Sequence, residues 1–286
     1  MKIYESAERI QGDARLDGVA GLLADVGSKL VPSGSFKDAL SGTWLGHSLH
    51  PALTDVPIGA WVSVAVLDLF GGQESETAAR RLIGVGILSS VPTALSGLSD
   101  YSDLYGEERR VGIVHAASNS LALSLYGASY LARRAGRTGM GKVLALLGVS
   151  SAMSGAYLGG HLSLSMGIGV DHTVFEAGPT DWTGVLDESE LEEGAPRKVH
   201  AEGADVMLVR HGGRLCALDD RCSHLGGPLS EGQVADGAVT CTWHGSTFAL
   251  QDGSITRGPA RSPQPVFETR VTDGRVEIRR KARREA

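Results

Sequence analysis

Cysteine is nearly absent. Cys216, Cys222 and Cys241 are the three in 286 residues, too few and too odd in number for a framework of disulfides. An excess of positive charge is missing too. Lysine and arginine total 27 against 33 acidic residues, a formal net charge of −6, and that balance argues against nucleic acid as a main partner. The opening stretch, MKIYESAERIQGDARLDG, has no apolar core and does not read as a signal peptide.

Charge is lacking again along four runs in the first half, approximately 51–70, 82–98, 111–131 and 143–168. Asp55 and Asp68 interrupt the first; the others hold no acidic or basic residue apart from His115 and His161. Each run is near or above the length that spans a hydrocarbon layer as a helix. Small residues abound, and Gly155-x-x-x-Gly159 would let helices approach closely inside lipid. The alternative is a soluble bundle of buried, alanine-rich helices. Four charge-free stretches in succession leave little with which to build an amphipathic face, so a membrane domain is the better reading.

What the second half does contain is two Cys–His pairs. Cys222-Ser-His224 and Cys241-Thr-Trp-His244 stand sixteen residues apart. Glycines flank both, as Gly226-Gly227-Pro228 and Gly245-Ser246, so tight loops can close over a small inorganic core. Two thiolates and two neutral imidazoles are the ligand set of a Rieske [2Fe–2S] cluster, one pair of like donors on each iron. The same donors suit a Cys2His2 zinc tetrahedron. Structural cysteines beside surface histidines are a third reading.

The run Ala217-Leu-Asp-Asp-Arg-Cys-Ser-His-Leu-Gly-Gly-Pro-Leu229, then Cys241-Thr-Trp-His-Gly-Ser-Thr-Phe248 and Asp252-Gly253, resembles the Rieske ferredoxin family over about the last hundred residues. That resemblance implies one [2Fe–2S] cluster, with Cys222 and Cys241 on the buried iron and His224 and His244 on an exposed one. Gly258-Pro259-Ala260 resembles the family's proline loop, and Leu225, Gly227, Trp243, Ser246 and Pro259 would tune the cluster. Quinol-oxidising members carry an extra cysteine in each loop, where this chain has Gly227 and Trp243, and a tyrosine where it has Phe248. Ser246 is kept. A potential between the low ferredoxin type and the high quinol-oxidising type follows. Cys216 is expected to be a buried strand residue.

Between the halves, 169–196 holds eight acidic residues and no lysine or arginine. Its start, 169–179, reads as a solvated linker, and Trp182-Thr-Gly-Val-Leu186 as the opening of the next domain. Hairpins are expected at 204–210 with 214–218 and at 266–271 with 275–279, turning at His211-Gly-Gly and Asp273-Gly274. The whole chain is then α+β in two domains: a tail at 1–45, an all-α four-helix transmembrane bundle at 46–168, an all-β Rieske domain at 180–280 and a solvated basic tail at 281–286.

Alternating helices would gather His47, His50, His115 and His161, with Asp100 and Asp103, at one membrane face, the face from which the Rieske domain leaves. Polar residues near lipid usually mark a site. Haem b held by two of these histidines, a quinone or metal pocket, and plain helix capping are the three readings. The first half also resembles a bacterial family of small four-helix membrane proteins of uncharacterised activity, through His47-Ser-Leu-His-Pro51, Thr54-Asp-Val-Pro57, Ser99-Asp-Tyr-Ser-Asp103 and Gly159-Gly-His161.

Arg80, Arg81, Arg133, Arg134, Arg137 and Lys142 fall in the opposite loops, so positive charge puts the Rieske domain outside the cytoplasm, in a bacterial plasma membrane. Arg133-Arg134 could also serve as a twin-arginine export signal. The function expected is one-electron transfer between unidentified redox partners, protein or quinone, from a lipid-anchored chain. A redox sensor and a quinol-oxidising subunit are the alternatives. A ring-hydroxylating oxygenase is not expected, because only some forty residues follow His244.

Overall fold

A computed structural model describes residues 3–175 and 177–281. The basic tail lies outside the described residues from 282 onward. Seven α-helices occur among those described: α1 (Ile3–Gly12), α2 (Asp17–Leu30), α3 (Ser35–Ser41), α4 (Leu49–Phe70), α5 (Glu76–Tyr101), α6 (Gly106–Arg134) and α7 (Thr138–Leu164). Ten strands follow: β1 (Thr183–Asp187), β2 (Arg197–Ala201), β3 (Ala204–His211), β4 (Arg214–Asp219), β5 (Gln233–Ala235), β6 (Ala238–Thr240), β7 (Thr247–Ala249), β8 (Ile255–Arg257), β9 (Val266–Thr272) and β10 (Arg275–Arg280).

The four charge-free runs are the cores of α4 to α7, but the count of spanning helices needs correcting. Among the described residues three helices are long and apolar enough to cross a membrane: α4, α5 with its preceding turn, and α7. Helix α6 differs because His115, Asn119, Ser118, Ser120, Ser124 and Ser129 make its charge-free core less apolar; it opens on Glu107 and Glu108 and closes on Arg133 and Arg134. Acids at the first turn and arginines at the last complement the helix dipole, so charges that look like loop residues extend the helix instead.

Residues 1–45 are not a tail. The chain divides into two compact units, and 1–32 group with 49–168 while 33–48 group with the β-rich part. The reason is burial: Ala7, Ala20, Ala24 and Val31 lose essentially all their exposure in α1, α2 and the residue after α2. The helical unit is centred on Trp61, stacked on Tyr126 with centroids 4.4 Å apart, among Val64, Ile83, Ala122 and Ala152. At one end of the four long helices an ion cluster is buried. Arg133 of α6 donates to Asp68 of α4 at 2.5 Å and to Glu76 of α5 at 2.6 Å, with its own side chain wholly inaccessible. Arg133 is therefore a neutralised structural cation, a poor candidate for an export signal.

The β-rich unit holds two antiparallel sheets. The larger has the order β1-β10-β9-β4-β3-β2 and the smaller β5-β6-β7-β8. Both expected hairpins are present, β3 (Ala204–His211) with β4 (Arg214–Asp219) and β9 (Val266–Thr272) with β10. Strand β3 is buried on both faces. Val206 and Leu208 join one apolar cluster, Met207 and Val209 another that reaches Val239 and Phe248. Alternation along a strand sends successive side chains to opposite faces, so one strand serves two cores. Cys216 lies in β4 and is half-buried, and that burial raises its thiol pKa. Trp182 sits between the guanidinium groups of Arg270 and Arg279, 4.3 and 4.6 Å from its ring centre.

The start of the acidic stretch is not a solvated linker. Asp171 accepts from the amide and hydroxyl of Thr173, which is buried, and His172 donates its amide to Ser223. A short aspartate turn docks the chain against the loop that carries Cys222.

Candidate functional site

Both Cys–His loops are the same turn. In the first, Gly226 donates its amide to the carbonyl of Cys222 at 2.8 Å, and Cys222 donates its own to Gly227 at 2.9 Å. In the second, Gly245 donates to Cys241 at 3.1 Å and Cys241 to Ser246 at 2.9 Å. Gly226 and Gly245 both have φ near +77°, a left-handed conformation that side-chain-bearing residues resist. Residue four after each cysteine therefore has to be glycine. The turn points the backbone inward: His224 and Leu225 present amides to the Cys222 thiol, and Trp243 and His244 present theirs to Cys241.

The four donors meet in like pairs. Cys222 shares its thiol proton with Cys241, and the rings of His224 and His244 lie with centroids 5.0 Å apart, edge to face. Hydrogen bonding from Cys222, with the Trp243 and His244 amides, lowers the Cys241 pKa to about 7; Cys222 keeps the shared proton and is pushed up. Among the described residues, no group of three or more His, Cys, Asp and Glu side chains converges as a single metal ion would require. Thiols paired with each other and imidazoles paired with each other suit a diiron core better than a zinc tetrahedron.

Close approach explains Gly227. A Cβ there would lie 2.8 Å from the Trp243 ring and 3.0 Å from Cys241 Sγ. Trp243 thus occupies the space that a side chain at 227 would use, while 52% of it remains exposed. Ser246 is fully buried, and its Oγ accepts the amide of Ala260 at 3.0 Å. With that lone pair occupied, the hydroxyl proton is left to donate elsewhere. Pro259 is buried and follows a cis peptide bond from Gly258. Phe248 is fully buried on the smaller sheet, and Leu225 is half-buried at the rim of the first loop.

One expectation fails in part. His224 is only 5% exposed, so the two histidines are not equally open; His244 alone of the pair is half-exposed. Burial, then the charge of Arg261, with His244, Lys37 and His172 adding to it, holds the His224 imidazole well below the ordinary histidine range and hence neutral. Lys37 and His172 come from the segments expected to be tail and linker. Arg261 is itself anchored by donating to the Ser41 carbonyl at 2.6 Å, and Gly258 lies against Thr43 and Asp38.

Gln264 escaped sequence reading altogether. It is buried, donates to the carbonyls of Asp219 and Arg221 at 2.8 and 2.7 Å, and accepts the Ser223 amide at 3.1 Å. A polar residue that lies far along the chain carried no local signal; three backbone bonds to one loop reveal its role.

The histidines of the first half do not gather as one set. His50 and His115 face each other with ring centroids 6.1 Å apart. His161 instead bonds Gln11 of α1 at 3.0 Å, because α1 is a helix packed on this unit. His47 belongs to the stretch that groups with the β-rich unit, where its Nδ1 lies 3.1 Å from the Ser48 carbonyl oxygen.

A small antiparallel domain with paired thiols and paired imidazoles on two glycine-closed loops defines an iron–sulfur protein of mixed ligation. Comparison with known proteins agrees. The Rieske [2Fe-2S] domain family matches residues 181–268, and a family described as predicted membrane protein (DUF2231) matches residues 46–172. The ferredoxin subunit of 3-phenylpropionate/cinnamic acid dioxygenase from Photorhabdus laumondii is 38% identical over 90 residues, covering 31% of this chain and 85% of that protein. The anthranilate 1,2-dioxygenase ferredoxin subunit of Burkholderia cepacia is 35% identical over 105 residues, covering 36% of this chain and 95% of that protein. Mouse apoptosis-inducing factor 3 is 33% identical over 90 residues, 32% of this chain, and the match spans 15% of that longer protein. The chain belongs to the Rieske [2Fe–2S] family through its C-terminal domain, joined to a membrane domain of the DUF2231 type. It is a membrane protein whose Rieske domain carries a [2Fe–2S] cluster.

Proposed function

We propose that Cys222 and Cys241 hold one iron of the cluster, that His224 and His244 hold the other, and that the chain is a membrane-anchored one-electron carrier. The observation that carries this reading is the repeated turn, which pairs thiol with thiol and imidazole with imidazole. When bound, the cluster supplies storage for a single electron. The protein does the rest. Four backbone amides stabilise thiolate charge, Ser246 offers a proton from a buried position, and burial keeps His224 neutral. Exchange runs through the His244 edge beside Trp243, the open side of the pair.

The partner is a redox protein, since the relatives are described as ferredoxin subunits, although quinone stands as the second candidate. A quinol-oxidising role is disfavoured, because Trp243 fills the room a cysteine at 227 would need and Phe248 has no hydroxyl. Helices α4, α5 and α7 anchor the chain in the bilayer, and the positive charge of Arg80, Arg81, Arg134, Arg137 and Lys142 favours a Rieske domain outside the cytoplasm.

Iron and acid-labile sulfide assays on the purified chain, with electron paramagnetic resonance of its reduced form, test the ligand set. Equal iron and sulfide with a Rieske-type spectrum are expected, lost on Cys222→Ser or His244→Ala. Zinc without sulfide would overturn the assignment. Stopped-flow reduction by quinol-fed membranes then separates a carrier, reduced within one turnover time of the membranes, from a sensor that exchanges slowly.

A further inference from the structure

The two helix pairs of the helical unit carry the same device. His50, in the first turn of α4, donates Nδ1–H to the Thr93 carbonyl of α5 at 2.9 Å. His115, early in α6, donates Nδ1–H to the Gly155 carbonyl of α7 at 2.8 Å. A carbonyl can only accept, so the nitrogen must be the donor in both cases. Four residues after each acceptor stands a glycine. A Cβ at Gly97 would lie 2.7 Å from the Cε1 of His50, and one at Gly159 would lie 3.0 Å from the Cε1 of His115. Each hairpin thus uses one helix carbonyl to hold the imidazole and one glycine, a turn later, to make room for it.

The bond to carbonyl settles the tautomer. With the proton on Nδ1, the neutral ring carries its lone pair on Nε2, the form in which metal-binding histidines are oriented by a backbone carbonyl. Asn119, one turn after His115, has Nδ2 2.9 Å from the His115 carbonyl and 3.3 Å from Nε2. The two rings, from different hairpins, stand with centroids 6.1 Å apart and planes at 81°.

The donor count selects the ligand. Among the described residues no third His, Cys, Asp or Glu joins this pair as a metal group. Two imidazoles are too few for bare zinc or copper, which take three or four protein donors. They match haem iron, whose macrocycle supplies the remaining nitrogens and leaves axial positions to the protein. Two imidazole nitrogens, each about 2 Å from one metal, put the ring centroids roughly 6 Å apart, which is the separation found. Histidines fixed by backbone carbonyls inside a membrane domain are a functional signature.

We propose that His50 and His115 are the axial ligands of one haem bound within α4 to α7. The site is independent of the Rieske loops and places a second one-electron centre in the same chain. The test uses the full chain, purified in detergent from a host supplied with a haem precursor and also reconstituted with hemin. Pyridine haemochrome assay and the visible spectrum should report one low-spin haem per chain. His50→Ala and His115→Ala should each lower haem content at least about tenfold, no less than the loss that removing an outer-shell partner brings. His161→Ala should keep it. Imidazole in the buffer should restore the low-spin spectrum in either alanine variant, and the [2Fe–2S] resonance in the same samples reports that the chain has folded. A wild-type chain that takes up no haem, or alanine variants that retain it, would sink the proposal.

Discussion

Removing the Arg133 guanidinium should destabilise the helical unit more than any other single side-chain truncation at the ends of its long helices. Its side chain is wholly inaccessible, that of Asp68 is 2% exposed, and that of Glu76 is 26% exposed. Breaking a buried pair leaves an uncompensated charge, which typically costs about 3–5 kcal/mol. The larger share belongs to Asp68, since Glu76 can turn toward water and an exposed pair contributes only about 0–1 kcal/mol. Arg133→Ala should therefore shift the folding equilibrium by roughly two to four powers of ten. Lysine should recover only part, because one ammonium cannot match a planar fork that reaches two carboxylates. Arg133→Met combined with Asp68→Leu should return to within about 1 kcal/mol of the parent, as apolar replacements of buried pairs often do. Unfolding of the detergent-solubilised chain by rising SDS fraction, followed by helical circular dichroism, measures all four. If Arg133→Ala lies within about 0.5 kcal/mol of the parent, the level of a neutral surface change, the reasoning fails. It fails equally if the double variant is no better than the single one.

Gly227→Ala should destabilise the cluster loops by about 1–3 kcal/mol through overpacking against Trp243 and Cys241. Adding Trp243→Ala should relieve part of that; cluster bleaching temperature is the readout, and an unaltered single variant would contradict it. Ser246→Ala should lower the midpoint potential with the resonance type unchanged, since a buried hydroxyl able to donate to the bound cluster is removed. A titration showing the midpoint unmoved or raised would remove Ser246 from the tuning set. Gln264→Ala should weaken the first loop by about 1–3 kcal/mol, because three backbone groups lose their buried amide partner. Faster cluster loss at constant temperature checks this.

Much of the site was legible in the residues. Two Cys–His pairs with a glycine four positions after each cysteine can close as one kind of turn, and the structure closes both that way. The hairpins at β3–β4 and β9–β10 were equally plain from alternation and glycine turns. The short strands β1, β2 and β5 to β8 were not, because three- to five-residue runs carry too little periodicity to stand out. The charge that marked loop ends in the first half misled for the opposite reason. Arg133 and Arg134, expected in a loop, lie inside α6, where the helix dipole and a buried ion cluster accommodate them.

Local chemistry alone determined the ligand types, the glycine-closed turns and the four apolar helix cores, since each depends on neighbours within a few positions of the chain. The tertiary structure decided what lies far apart in sequence. It put Lys37 and His172 beside His224, sent His161 to Gln11, brought His50 to His115 and closed Arg133 on Asp68 and Glu76. Burial and charge pairing act through space, and no local pattern encodes which distant segment will supply the partner.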